Sequence, residues 1–126
     1  MAARSFVQLL GAADPGVVIL GISFLPQGTG AISASQISGR GVASVAWSTD
    51  RYVVTLSDVY ASLLSATATL QLATFGDQFC QIGAVNLNNR TVEVVVVDAS
   101  AGTAGSVAAN AGNKINLCLV LKNSQV

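Results

Sequence analysis

Apolar and polar residues alternate along much of this chain with the period of two that is typical of β-strands. The clearest example is the segment 51–56, in which Tyr52, Val54 and Leu56 share one face. Residues 66–72 alternate in the same way, with alanine and leucine on one face and threonine and glutamine on the other. Further strands are predicted at residues 17–24, 42–48, 79–85, 91–98 and 115–121, with short candidates at 6–10 and 31–35.

Turn-forming residues separate these strands. The strand at 17–24 is an almost unbroken apolar run, so it is predicted to be buried on both faces. Thr49-Asp50 predicts a tight turn, and residues 86–90 predict a hairpin loop whose asparagines can adopt positive φ. The segment 99–113 is dominated by small residues, and we expect it to be a mobile loop or one that another subunit covers.

Residues 57–65 are ambiguous. Ser57 or Asp58 could cap a short helical turn carrying Val59, Tyr60 and two leucines, but the segment is too short for more than a turn or two. Elsewhere the chain has seven or eight strands at regular spacing and no helical pattern of ten residues or more. The sequence therefore predicts a single all-β domain over residues 1–126, an antiparallel sandwich or jelly roll with little or no helix, with 1–15 as a candidate N-terminal arm.

The composition indicates that this domain assembles with other protein chains. Apolar residues make up 52% of the 126 residues and charged residues only 10%, against about 25% in a typical soluble domain. A monomer of this mass exposes roughly 6,000 Å², over which six acidic and six basic residues are thinly spread. We therefore expect part of the surface to be buried against other chains; the alternative is a soluble monomer with a serine- and threonine-rich surface.

Charge and residue types also exclude several functions. A net charge of zero argues against electrostatic binding of nucleic acid. Because the chain has no histidine, a triad with an imidazole base and a histidine-ligated metal site are both excluded. The longest nearly apolar run, residues 16–25, is about half the length of a membrane helix, and the first residues lack the pattern of a secretory signal. We expect no nucleic acid or membrane partner.

The cysteines and carboxylates do not predict catalysis. Cys80 and Cys118 lie in apolar strand-like segments, which favours buried free thiols in a reducing compartment, although a disulfide between neighbouring strands stays open. The acidic residues fall mostly in turns or at strand ends, where carboxylates usually cap backbone amides. Glycines at 28, 30, 39 and 41 do not open a helix as a phosphate loop does. We expect no enzyme activity and no catalytic, cofactor-binding or metal-ligating residues.

Three aromatic residues have two interpretations. Trp47, Tyr52 and Tyr60 could form a platform on which a sugar stacks. Packing in the core, with the polar end of each ring hydrogen-bonded, is the more common role of such residues.

Two parts of the chain carry a family resemblance. Residues 51–60 (RYVVTLSDVY) and 63–71 (LLSATATLQ) resemble a segment of small virion proteins of tailed bacteriophages, in which a G-x-Y-x-V-x-L-S strand, a short turn and an alternating Ala/Thr strand follow one another. Residues 92–98, the small-residue loop and residues 115–124 are similar to the same group, and more loosely to the trimeric jelly rolls of tumour-necrosis-factor-like domains. Thr49-Asp50 departs from the pattern, which more usually has a glycine in this turn.

This resemblance implies a capsid cement (decoration) protein. Such a protein would be assembled in the host cytoplasm, lie on the capsid surface of the virion and bind the major capsid protein where capsomers meet. The resemblance favours a homotrimer over a dimer, and such a protein needs no cofactor. The alternative is a tail-fibre or tail-associated β-domain that binds a host receptor or carbohydrate.

On this hypothesis two apolar segments are candidate contacts. The first is an arm that pairs with the capsid or a neighbouring subunit by strand addition; its residues are Phe6, Val7, Leu9 and Leu10. The second is a candidate subunit contact, for which an ordinary core lid is the alternative; its residues are Tyr60, Leu63 and Leu64. The loop 99–113 is a further candidate, because small residues allow close backbone approach.

Overall fold

The computed structural model describes residues 16–123 and confirms the all-β class. Within this range the chain forms nine antiparallel strands, of which seven have six residues or more, and one three-residue 3₁₀ turn at Ala34–Gln36. The strands are β1 (Val17–Phe24), β2 (Ile37–Ser38), β3 (Val42–Ser48), β4 (Arg51–Leu56), β5 (Ser62–Gln71), β6 (Gln78–Asn86), β7 (Thr91–Asp98), β8 (Thr103–Ala104) and β9 (Lys114–Lys122).

The strands form two sheets that pack as a sandwich. Sheet 1 has the order β2-β1-β9-β5, and sheet 2 has the order β3-β4-β7-β6 with β8 beside β7. The chain crosses between the sheets four times, from β2 to β3, β4 to β5, β5 to β6, and β8 to β9. Repeated crossing of this kind is the connectivity of Greek-key sandwiches and jelly rolls, and it pairs strands that are far apart in the sequence.

Alternate residues of both sheets build the core. Tyr52, Val54 and Leu56 are completely buried, as their shared face predicts. In sheet 2, Tyr52 pairs with Val94 across the ladder, and Val54 pairs with Val92. Burying each such aliphatic side chain contributes about 1.5–3 kcal/mol. Sheet 1 supplies the opposite side of the core with Leu20, Ile22, Phe24, Ile115, Leu117, Leu119 and Leu121.

Two predictions about the N-terminal half were wrong. Strand β1 is buried on one face only: Ile19 is 48% exposed, while Leu20 and Ile22 point into the core. The outer face of an antiparallel sandwich is open to solvent, so the apolar run did not indicate two-sided burial. The predicted strand at 31–35 is instead a loop and a 3₁₀ turn, because the backbone amide of Ser33 donates to Oε1 of Gln36 (2.9 Å) and closes a capping box.

The ambiguous segment 57–65 contains no helix, since β5 begins at Ser62. Leu63 pairs with Leu121 and Ser65 with Val120, so Leu64 is the extra residue of a β-bulge. The bulge breaks the alternation of apolar residues, which explains why periodicity did not identify the strand start.

The loop between β6 and β7 also differs in detail from its prediction. Its positive φ belongs to Arg90 (64°), not to an asparagine. The side chain of Asn86 has another role, since its Oδ1 accepts the backbone amide of Asn89 at 3.1 Å. An asparagine side chain that bonds the local backbone in this way stabilises the turn without adopting a left-handed conformation.

Candidate functional surfaces

The aromatic residues near the core do not form a platform. Tyr52 is completely buried, and its ring centroid lies 5.0 Å from that of Trp47 and 5.6 Å from that of Phe24. Its hydroxyl donates to the carbonyl of Gly28 (3.0 Å) and accepts the amide of Val107 (3.0 Å). Burial raises the pKa of Tyr52, although the Val107 amide opposes this shift. These contacts are those of core packing.

The hydroxyl of Tyr52 anchors the loop 99–113. Val107 is buried, and its carbonyl accepts the backbone amide of Gly28 at 2.7 Å. Asn113 is buried as well: its side chain accepts the amide of Ala73 (2.9 Å) and donates to the carbonyl of Ala108 (3.0 Å). The second half of this loop is therefore held by its own domain, which the small-residue composition did not predict.

The predicted contact residues have different positions. Tyr60 is buried in the core, and Leu63 is half-buried against it. Leu64 is 51% exposed at the bulge and is the member of this set that a partner could touch. The arm candidates Phe6, Val7, Leu9 and Leu10 lie outside the described residues.

The described part of the chain places the two cysteines in separate environments. Both cysteines are free thiols, and they lie in different sheets. Cys80 is half-buried, and burial raises its pKa from 9.0 to about 12. Cys118 is exposed on β9, so the prediction that it is buried was wrong. Neighbouring residues of a strand point to opposite faces, and Leu117 and Leu119 both point inward, so Cys118 between them points outward.

The carboxylate of Asp98 has the turn-capping role expected of such residues. It accepts the hydroxyl and amide of Ser100 (2.8 and 3.0 Å) and the amide of Ala101 (3.2 Å), and these hydrogen bonds lower the pKa of Asp98. Beside it lies an open cavity of about 270 Å³, whose lining includes Asp77, Gln78 and Asn110. Among residues 16–123, no group of three or more potential ligands is arranged to hold a metal ion.

The outer face of sheet 2 carries a charged network. Nε of Arg51 donates to Asp50 at 2.6 Å, and its Nη1 donates to Glu93 at 2.7 Å. The hydrogen bond from Arg51 lowers the pKa of Asp50, and the two carboxylates raise the pKa of Arg51. Because Arg51 and Glu93 lie on β4 and β7, the two central strands of sheet 2, their charges keep this face hydrated.

The outer face of sheet 1 is different. Its three central rows cross β1, β9 and β5, and none of their nine residues is charged. We call these rows the neutral face; they are Ile19–Val120–Ser65, Gly21–Cys118–Thr67 and Ser23–Asn116–Thr69. A Cβ atom added to Gly21 would meet nothing within 4 Å, so the middle row is open as well as uncharged.

A second apolar feature lies beyond the C-terminal end of β5, which is Gln71. Phe75, in the loop before β6, is completely exposed, and Phe79 on β6 is 46% exposed opposite Val97. We call Phe75 and Phe79 the phenylalanine pair. The sequence pattern does not reveal these two residues, because Phe79 fits an apolar strand pattern and Phe75 lies in no periodic segment.

Comparison of the chain with protein-family models, curated proteins and solved structures gives no match. In the part that the structure describes, no helix is long and apolar enough to cross a membrane.

Proposed function

We propose that this chain is a structural virion protein of a tailed bacteriophage, which binds and stabilises the assembled capsid as a homo-oligomer. The observation that carries the proposal is the phenylalanine pair, since a completely exposed Phe75 has no role in the fold of its own chain. Buried aromatic anchors dominate the energy of many protein interfaces. The resemblance of residues 51–71 and 92–124 to small phage virion proteins supplies the class of partner.

The mechanism is binding, not chemistry. A cement protein adds binding free energy that exists only in the expanded shell, so it raises the barrier to rupture by packaged DNA. An interface of roughly 1,600 Å² can give nanomolar affinity, and repetition over the shell multiplies the effect. In a chain with 10% charged residues, such contacts depend little on salt.

The test is co-sedimentation of the purified chain with expanded and unexpanded shells of the phage that encodes it. We expect saturable binding to the expanded shells alone, on the order of hundreds of copies per particle, and little loss in 0.5 M NaCl. Phe75→Ser should weaken this binding at least tenfold. Val59→Ser is the matched control, since Val59 is also exposed but lies at the opposite end of β5.

A tail-associated receptor-binding domain is the second candidate. It is favoured by the position of Phe75 between Thr74 and Gly76, which both line the open cavity together with Asp77 and Asn110. An aromatic ring beside carboxylate and amide groups is a combination that can bind a sugar. Gold-labelled antibody on intact particles separates the two candidates, because label on the tail alone would overturn the cement proposal.

A further inference from the structure

Apolar side chains meet on the outer face of sheet 1 where β1 begins. Ile19 is 48% exposed and pairs with Val120 on β9, and Val17 shares its outward face. Val120 pairs in turn with Ser65 on β5, next to the bulge residue Leu64, which is 51% exposed. Single exposed apolar side chains are normal, whereas contiguous ones gain free energy when another segment covers them. We call Val17, Ile19, Val120 and Leu64 the apolar corner.

The remaining outer rows of sheet 1 do not share this character. Beyond Ile19 the outward residues of β1 are Gly21 and Ser23, and their neighbours on β9 are Cys118 and Asn116. This part of the face is small and polar, and serine and asparagine ordinarily face water. The large apolar residues of the outer face are therefore confined to the end of the sheet at which the chain enters β1.

The chain that leads into this corner carries apolar residues of its own. Residues 6–10 (FVQLL) contain four apolar side chains and no charge. The carbonyl of Gly16 accepts the backbone amide of Asn123 at 2.7 Å, which places the start of β1 beside the end of β9. Gly16 has a φ of 89°, and residues 14–17 (DPGV) have the proline and glycine that are typical of a type II turn. Such a turn reverses the chain and directs the preceding residues back towards sheet 1.

We propose that residues 6–10 fold back across sheet 1 and cover the apolar corner of their own chain. The length of the chain permits this contact. Leu10 is six residues from Gly16, which corresponds to at most about 20 Å of extended backbone. Strand β5 lies two strands from β1, about 10 Å away. This inference goes beyond the proposed function and does not depend on it.

Tethering makes a small contact sufficient. A stable interface between separate chains needs about 20–30 residues on each side, and the apolar corner has four. A segment joined by a short link has an effective concentration in the millimolar range, so a contact with a dissociation constant of about 0.1 mM is occupied most of the time. The segment then serves the fold of its own chain, and contact with the capsid falls to the phenylalanine pair.

A thiol introduced by Ser65→Cys reports on the corner, because Ser65 is exposed and neighbours both Val120 and Leu64. In a background in which both natural cysteines are replaced by serine, it is the one thiol of the chain. We would measure its rate of reaction with a thiol reagent at neutral pH over a range of protein concentrations, and the native mass by light scattering over the same range. Replacing two apolar side chains of the segment, by Leu9→Ser and Leu10→Ser, should increase this rate at least about fivefold.

Two variants provide the controls. Thr69→Cys places the thiol on the same outer face at the opposite end of β5, where Thr69 is exposed and pairs with Asn116. Its reaction rate should be the same with and without the two serines. Gln8→Ser changes a polar residue of the segment and should leave the thiol of Ser65→Cys protected. Urea unfolding checks that each variant is folded.

Several outcomes would overturn the proposal. Equal reaction rates of the Ser65→Cys thiol with and without the two serines would mean that the segment does not cover the corner. Protection that rises with protein concentration, together with the native mass, would assign the corner to a second copy. Protection that appears only on the capsid shell would assign it to the capsid protein. The Phe75→Ser test of shell binding is separate, so a failure of this contact and a failure of the proposed function are distinguishable.

Discussion

Tyr52 joins the core to the loop that covers it through one buried hydroxyl. Tyr52→Phe leaves the carbonyl of Gly28 and the amide of Val107 without their partner. An unsatisfied buried polar group costs about 1–3 kcal/mol. The Val107 amide is buried whereas the Gly28 carbonyl is only part-buried, so we expect the free energy of unfolding to fall by at least about 1 kcal/mol. Urea unfolding followed by the fluorescence of Trp47 measures this change.

The control for this variant is Phe75→Ala. Phe75 is completely exposed, so its truncation should alter stability by no more than about 0.5 kcal/mol. A similarly small effect of Tyr52→Phe would show that the hydroxyl does not hold the loop.

Ionisation of the Cys80 thiol makes the free energy of unfolding depend on pH in the alkaline range. Its pKa is about 12 in the folded chain because of burial, whereas the unfolded chain ionises near 9. The folded state then binds more protons than the unfolded state, so the free energy of unfolding is unaffected well below pH 9 and falls as the pH rises from about 9 towards 12. Urea midpoints between pH 8 and 10 should decline less steeply in Cys80→Ala than in the natural chain.

Cys118→Ser is the matched control, because Cys118 is exposed on the neutral face. It should keep the full decline with pH. Equal slopes in Cys80→Ala and the natural chain would mean that another group causes the loss of stability.

At the scale of elements, the β3–β4 turn is strained at Thr49. The amide of Asp50 donates to the carbonyl of Ser48 at 2.6 Å, and Thr49 between them has a φ of 56°. A left-handed conformation costs about 1–2 kcal/mol for a residue with a Cβ atom, and glycine avoids this cost at an entropic expense of about 0.5–1 kcal/mol. Thr49→Gly should therefore raise the free energy of unfolding by about 0.5–1 kcal/mol.

The neighbouring Ser48→Gly should have the opposite effect, because Ser48 is in β3 and has no positive φ to relieve. Thermal unfolding of the two variants beside the natural chain measures both signs. A loss of stability in Thr49→Gly would show that the threonine side chain contributes more than the strain costs.

Strand positions were predictable where an inward apolar face lies between two turns. The segments 42–48, 51–56 and 91–98 match β3, β4 and β7, because each has an inward face of large apolar residues. Prediction failed at Leu64, where a bulge shifts the alternation by one residue, and at 31–35, where a side-chain hydrogen bond to the Ser33 amide favours a turn. Both events are local: the bulge interrupts the alternation inside one strand, and the hydrogen bond forms a turn in a segment whose residue types also suit a strand.

At the scale of the whole molecule, the absence of net charge predicts how self-association responds to salt. Because only 10% of the residues are charged, contacts between copies of this chain contain few ion pairs that salt could screen. We expect the mass of the proposed homo-oligomer, measured by light scattering in chains of 12.7 kDa, to stay unchanged between 0.05 and 0.5 M NaCl. A mass that falls with salt would indicate an ionic contact, and three chains would favour the trimeric order that the resemblance implies.

Residue types and a period of two are enough to predict the all-β class, most strand positions and the low charge of the surface. Which strands are neighbours depends on the three-dimensional fold. The pairing of β9 with both β1 and β5 brings Gly21, Cys118 and Thr67 into one row, although they are far apart in the chain. It also separates the interior Tyr60 from the exposed Leu64 and Phe75. Surfaces of this kind arise from long-range register, and no local pattern of residues encodes register across two sheets.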